Sequence, residues 1–298
     1  MYIKDEKVKK LLLTLTLSAL ILFTCFGAFE DIPLTGLSRG LGGALSPRIE
    51  GEESIFYNPA GLVREEKVSF SLSYCQPYQI SDLNNSVIGI DYKLGRYNLG
   101  LGINQFSLTE VYTEQKIIAG IGTNFNRLFL GAAVNYYSIS ISGLYYMSWE
   151  SGIPPLKSKS SATTITIGSI LRVTENLNLS LTVYDIGGAE FTHSSETEGN
   201  ITELPMQVSA GGFYNFRDYV FISAELKNSL DDFGFLDESF RLGIEYVFYK
   251  TFSFRLGNYI GNTTYGFGIK GKRFGIDFAL ISNPDLGNNY VYSLNLKF

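Results

Sequence analysis

From Lys67 to its last residue, this 298-residue chain reads as one long strand after another. The segments are 67–75, 86–94, 96–106, 115–125, 127–139, 161–173, 177–186, 205–216, 218–228, 238–249, 251–260, 262–271, 273–282 and 289–298, most of them 9 to 13 residues long. Strands in globular sheets average about 5–6 residues, whereas a tilted strand crossing a bilayer needs about 9–11. Side chains on a strand point alternately to its two faces, so alternation of apolar and polar residues means one greasy face and one polar face. Val68, Phe70, Leu72 and Tyr74 oppose Ser69, Ser71 and Ser73. Leu177, Leu179, Leu181 and Val183 oppose Asn178, Ser180 and Thr182. In the last ten residues Tyr290, Tyr292, Leu294, Leu296 and Phe298 oppose Asn289, Val291, Ser293, Asn295 and Lys297. A soluble sheet must cover its apolar face with a second layer, and the chain has no helix-forming runs to supply one. A sandwich of long strands is the soluble alternative. The pattern favours an all-β fold, a transmembrane antiparallel β-barrel of about 14 strands.

The connections point the same way. Residues 76–85, 107–114, 140–160, 187–204, 229–237 and 283–288 read as long loops, separated by tight turns at Gly95, Asn126, Thr174 to Asn176, Arg217, Lys250 and Lys272–Arg273. Only Gly261, where a long loop is due, breaks the alternation. Outer-membrane barrels have short periplasmic turns and longer outer loops, with aromatic girdles at both interfaces. Tyr92, Tyr97, Phe125, Phe216, Tyr219, Phe248, Tyr249 and Phe252 flank the tight turns as a girdle would. An even strand count brings both barrel ends to the periplasmic side. The polar face would then line the lumen, where Glu225, Arg241, Glu245, Arg255 and Asp277 are expected to form a polar network. A structural network is the plainer reading; tuning of what passes is the sharper one.

Residues 1–28 read as a signal peptide. Lys4, Lys7, Lys9 and Lys10 precede an apolar run from Leu11 to Phe23, and small residues at Cys25, Gly27 and Ala28 suit cleavage after Gly27 or Ala28. Phe23 and Thr24 make a poor context for lipid attachment at Cys25. The expected location is the bacterial outer membrane, with lipid as surrounding partner. One histidine, His193, excludes a cysteine/histidine zinc site, and no metal or cofactor is expected. A formal charge of −5 gives no support for nucleic-acid binding.

Between signal and barrel (67–298) lies a segment, 29–66, without strand alternation. It is rich in glycine at Gly36, Gly40, Gly42 and Gly43, and it closes on Asn58-Pro59-Ala60-Gly61. Ile55, Phe56, Tyr57 and Leu62 cluster within it, which a loose tail would not need. It is expected to fold into the lumen as a plug.

GLSRGLGGAL (36–45) followed by FYNPAGL (56–62) resembles the N-terminal hatch of the FadL-like outer-membrane proteins, most closely their smaller PorV/PorQ-type branch. RLGIEY at 241–246, FRLGNY at 254–259, YGFGIK at 265–270 and FGIDFAL at 274–280 have the same texture. The resemblance implies fourteen strands, a hatch motif at Gly42, Gly43, Asn58, Pro59, Ala60 and Gly61, and a C-terminal Phe298 read by the barrel-insertion machinery. It implies passage of small hydrophobic compounds or, for PorV-like members, binding of secreted cargo proteins.

Leu144, Tyr145, Tyr146 and Trp149 make the loop at 140–160 a candidate contact surface for a hydrophobic ligand or a protein, or else packing on the barrel rim. The acidic stretch at Asp231, Asp232, Asp237 and Glu238 is expected to be a solvated loop. His193 beside Ser194 and Ser195 is the only pairing that would suit a serine hydrolase, and adjacency on a loop does not make a catalytic pair. The chain is expected not to be an enzyme.

Overall fold

A strand in hydrocarbon has no water to satisfy its backbone, so each N–H and C=O must find a neighbouring strand. The computed structural model, which describes residues 28–29, 34–64, 66–142, 157–193, 200–231, 234–283 and 287–298, meets that demand with a closed antiparallel barrel of fourteen strands. In chain order the barrel strands are β1 (Val68–Cys75), β2 (Leu83–Leu94), β3 (Tyr97–Leu108), β4 (Tyr112–Phe125), β5 (Leu128–Ser142), β6 (Lys157–Arg172) and β7 (Leu177–Ile186). A separate hairpin follows, β8 (Ala189–His193) with β9 (Asn200–Leu204). The barrel resumes with β10 (Met206–Phe216), β11 (Val220–Asp231), β12 (Gly234–Phe248), β13 (Phe252–Tyr259), β14 (Asn262–Lys270), β15 (Phe274–Asn283) and β16 (Gly287–Lys297).

The first and last barrel strands close the seam. β16 pairs antiparallel with β1, with Ser69 opposite Lys297 and Tyr74 opposite Tyr292. Phe298 extends the seam by one residue: its N–H donates to the Val68 carbonyl, and its own carbonyl accepts from Lys67 and Val68. The two faces of β16 separate as expected. Tyr292 and Phe298 are among the most exposed apolar residues, while Val291, Ser293 and Asn295 are buried inside.

Around the wall the outward positions are apolar and exposed, including Leu72, Leu101, Val134, Ile165, Leu181, Phe254 and Ile276. Such a continuous apolar exterior is stable only against lipid. Near the tight turns, ring contacts run from Phe216 to Tyr219, to Tyr246, to Phe248 and on to Phe252 and Phe254. This is the girdle expected on that side.

The strands run further than the alternation suggests. β3 and β4 leave only 109–111 between them, so the long loop expected at 107–114 is a short turn. β11 and β12 extend through Asp231, Asp237 and Glu238, whose backbones lie in paired strands rather than in a loop. Polar residues at strand ends hide the strand because they lie beyond the hydrocarbon and need no alternation. The expected loop at 187–204 holds the β8–β9 hairpin, with the backbone of His193 ending β8 opposite Asn200. Asp232, Ser194 and Ser195 lie outside the described residues, as do Leu144, Tyr145, Tyr146 and Trp149.

Leu101 sits mid-strand on the lipid face of β3. Leu101→Arg is expected to destabilise the barrel by about 2–4 kcal/mol in bilayers. Urea unfolding in liposomes reads this directly.

Candidate functional site: a plugged lumen

Residues 34–64 fill the barrel from the tight-turn end, and local chemistry explains their fold. Thr35 caps the five-residue helix α1 (Gly36–Gly40), in a box where Thr35 and Ser38 side chains satisfy each other's backbone N–H groups. At the other end the Gly43 N–H donates to the Ser38 carbonyl and the Gly42 N–H to the Arg39 carbonyl. That reversal requires a left-handed residue at position 42, where φ is +61°, so glycine is needed. Two short 3-10 turns follow, Gly51–Phe56 and Pro59–Leu62. Asn58 caps the second: its Oδ1 accepts from the Ala60 N–H at 3.0 Å, while its Nδ2 donates to the Ser46 carbonyl at 3.0 Å and to the Ser169 carbonyl of the wall at 3.2 Å. The motif therefore acts as a joint, holding the plug to itself and to β6.

Leu37, Leu41, Leu45, Ile55, Phe56, Tyr57 and Leu62 form one apolar core with Val87, Ile118 and Ala133 of the wall. Complete burial of a Leu or Ile side chain contributes about 1.5–3 kcal/mol. The clustering of Ile55, Phe56, Tyr57 and Leu62 expected from the sequence is thus present.

The wall makes room for this core with inward-facing glycines. A Cβ on Gly257 would lie 2.5 Å from the Gly42 nitrogen, and one on Gly243 would lie 2.5 Å from the Leu41 carbonyl oxygen. One on Gly102 would lie 2.9 Å from Ile55 Cγ2. On Gly131 it would collide with the Pro59–Ala60 peptide, and on Gly168 with Asn58 Oδ1. Glycine within a strand costs stability and marks the close approach of another chain segment. These wall positions are the footprint of the plug, and sequence reading missed them as a set. The available signal was glycine recurring on the polar face of long strands.

Polar contacts complete the seating. Arg48 of the plug donates from Nη2 to Glu245 Oε2 at 2.9 Å and from Nε to Glu50 Oε1 at 2.7 Å. The Glu245 Oε1 atom accepts from Arg255 Nε at 2.8 Å, and Arg255 Nη1 meets Asp277 Oδ1 at 2.6 Å. Asn295 donates to the other oxygen of Asp277 at 3.0 Å. Glu225 accepts from the Ser46 N–H and from Ser209. Arg241, register partner of Glu225, has its guanidinium 5.4 Å from the Tyr259 ring centre. Of the five lumenal residues expected to form a network, Glu245, Arg255 and Asp277 join one chain with Arg48. Glu225 joins the plug separately. Buried ions in this setting need partners on every side, and removing one leaves a costly orphan.

Glu53 is different. It is buried, Thr35 Oγ1 donates to its Oε2 at 2.7 Å, and its Oε1 has no partner among the described residues. Burial, then the nearby carboxylates Asp277 and Glu52, push its pKa up to about 8.

At the opposite end the wall ladder changes. β6 and β7 slip register between Ile165 and Ile167, and the β6 backbone from 157 to 164 is paired only with β5 among the described residues. Strict alternation would send Asp185 into lipid. A bulge instead turns both Tyr184 and Asp185 inward, with Asp185 at φ +51°. There its Oδ1 accepts from Asn135 at 3.1 Å, Tyr137 at 2.7 Å and Thr164 at 2.5 Å. The Tyr184 hydroxyl donates to the Tyr57 carbonyl, which links the bulge to the plug. Beyond the bulge, Phe191 of β8 is wholly buried and meets Tyr137 edge-on at 6.4 Å. Asp185, an acid on the greasy parity of β7, is the sequence signal that was overlooked.

Solved structures similar to this one include a monoaromatic hydrocarbon channel, a toluene transporter and a FadL homologue. The CymD monoaromatic hydrocarbon channel superposes with a TM-score of 0.62 at 14% identity, over 91% of this chain and 99% of that one. The Pseudomonas putida toluene transporter TodX gives 0.63 at 12%, over 90% and 97%. A Pseudomonas aeruginosa FadL homologue gives 0.57 at 11%, over 89% and 98%. The fold is FadL-like. No family model and no curated protein matches the sequence.

Two outcomes are expected. Gly131→Val should displace the plug without breaking the barrel, so limited proteolysis should cut within 34–64 while the strands stay intact. For Glu53, a raised carboxyl pKa favours the folded state most below its ordinary value of 4.5, and that stability is lost as pH rises towards 8. The urea midpoint should fall from pH 5 to pH 8 (about the span of the shift), and the fall should be shallower in Glu53→Gln.

Proposed function

We propose that this protein is an outer-membrane channel for small hydrophobic compounds, held shut by the segment at 34–64. The observation that carries this reading is the packing of that segment onto an inward-facing glycine wall. A compound that reaches the lumen can partition into an apolar contact such as the Phe191–Tyr137 pair, and the register slip between β6 and β7 is a place where the wall ladder is interrupted among the described residues. Passage to the tight-turn end then requires the plug to shift. The FadL-like fold, shared with channels described as carrying monoaromatic hydrocarbons and toluene, supports the same reading. The tight-turn end faces the periplasm in this proposal, since both barrel ends and the plug enter there.

The protein-secretion reading rests on the PorV/PorQ-like texture of the sequence alone. The contact surface it would use, around Leu144 to Trp149, lies outside the described residues.

Ser46 of the plug and Ser180 of the wall have their hydroxyl oxygens 3.2 Å apart. Ser46→Cys with Ser180→Cys, on a Cys75→Ser background, should form a disulfide that fixes the plug. Toluene uptake into liposomes should stop under oxidation and return on reduction. Uptake equal in both states would refute plug movement as the gate.

A further inference from the structure

A cavity of about 390 Å³ lies beside the plug at the tight-turn end, among β11 to β16. Its lining combines two chemistries. Leu37 of the plug with the inward-facing Phe221 and Val247 supply apolar surface, and Lys250, Lys270 and Lys297 supply positive charge. The carboxylates at the cavity are already engaged. Glu50 and Glu245 are held by Arg48, and Glu245 and Asp277 by Arg255, while Asp218 accepts from Asn215 at 2.6 Å. None of the three lysines has an ion-pair partner among the described residues. Lys270 and Lys297 share the inward parity of Gly268 and Asn295, so they face the lumen and not the lipid.

We propose that this cavity binds a small organic anion, a carboxylate or sulfonate on a compact apolar body. The size falls in the lower part of the range of small-molecule sites, about 300–1,000 Å³. Charge-assisted hydrogen bonds from unpaired ammonium groups recognise the acid group, and the apolar wall takes the body. A neutral hydrocarbon of the same shape gains only the second interaction. Lys270 and Lys297 face the lumen, which favours a free anion over a lipid headgroup. Binding here needs the plug in its seated position and does not require that neutral compounds pass.

The test uses the full chain in nanodiscs of zwitterionic lipid. Fluorine NMR titrations compare para-fluorobenzoate with para-fluorobenzyl alcohol. The acid should bind saturably and at least about tenfold more tightly than the alcohol. Lys270→Gln with Lys297→Gln should weaken the acid by about tenfold and leave the alcohol unchanged. Heat-dependent gel mobility verifies the barrel. Should that pair fail to fold, Lys250→Gln, on an exposed turn, should weaken the acid in the same direction. Equal binding of acid and alcohol, or unchanged binding in the lysine variants, would overturn the site. Loss of benzoate binding when anionic lipid is added to the disc would overturn it too, by making a headgroup the occupant. Toluene uptake by the same lysine variants should match wild type, so failure of the anion site and failure of the hydrocarbon channel are read apart.

Discussion

An unpaired backbone group cannot survive in hydrocarbon, and the rest of this molecule follows from that constraint. It forces the first and last strands together at the Ser69–Lys297 seam and removes both sheet edges. It also gives meaning to any place where the ladder is relaxed. The slip between β6 and β7 leaves part of β6 without a second barrel neighbour among the described residues, and the structure compensates from inside. Asp185, turned inward by its bulge, gathers Asn135, Tyr137 and Thr164 behind the weakened wall.

The closed ring also encloses a lumen, and here the plug packs into it. Two kinds of interaction hold the plug, and they differ in character. Apolar packing of Leu41, Ile55 and Leu62 against glycine positions excludes water and has no preferred direction of its own. The chain of charges from Arg48 through Glu245 and Arg255 to Asp277 is directional, and it fixes where the plug stops. Glu53 adds an acid that is comfortable only when protonated. The plug is thus seated by packing and by directed charges, and one of its contacts is sensitive to pH.

Much of the barrel was legible in the residues. Alternation at positions such as Leu177 to Val183 reports a face in contact with lipid, and it does so wherever a strand crosses hydrocarbon. The same signal fades towards strand ends such as the one that carries Asp237 and Glu238, so those strands read as shorter than they are. The Asn58-Pro59-Ala60-Gly61 motif could be recognised, yet its job could not, because its partners Ser46 and Ser169 are distant in sequence. Gly131, Gly243 and Gly257 look like gaps in a polar face until the plug is placed against them. Asp185 breaks alternation by one residue, and only the register with β6 shows that it has turned inward.

The claim on which the account stands is that residues 34–64 are packed inside the barrel as firmly as part of a core. Hydrogen exchange of the full chain in nanodiscs measures this segment by segment. The account predicts that backbone amides such as those of Arg39, Gly43, Tyr57 and Gly61, all hydrogen-bonded within the plug, exchange as slowly as amides of the lipid-embedded strands. Exchange of these amides at the rate of an unfolded tail would contradict it.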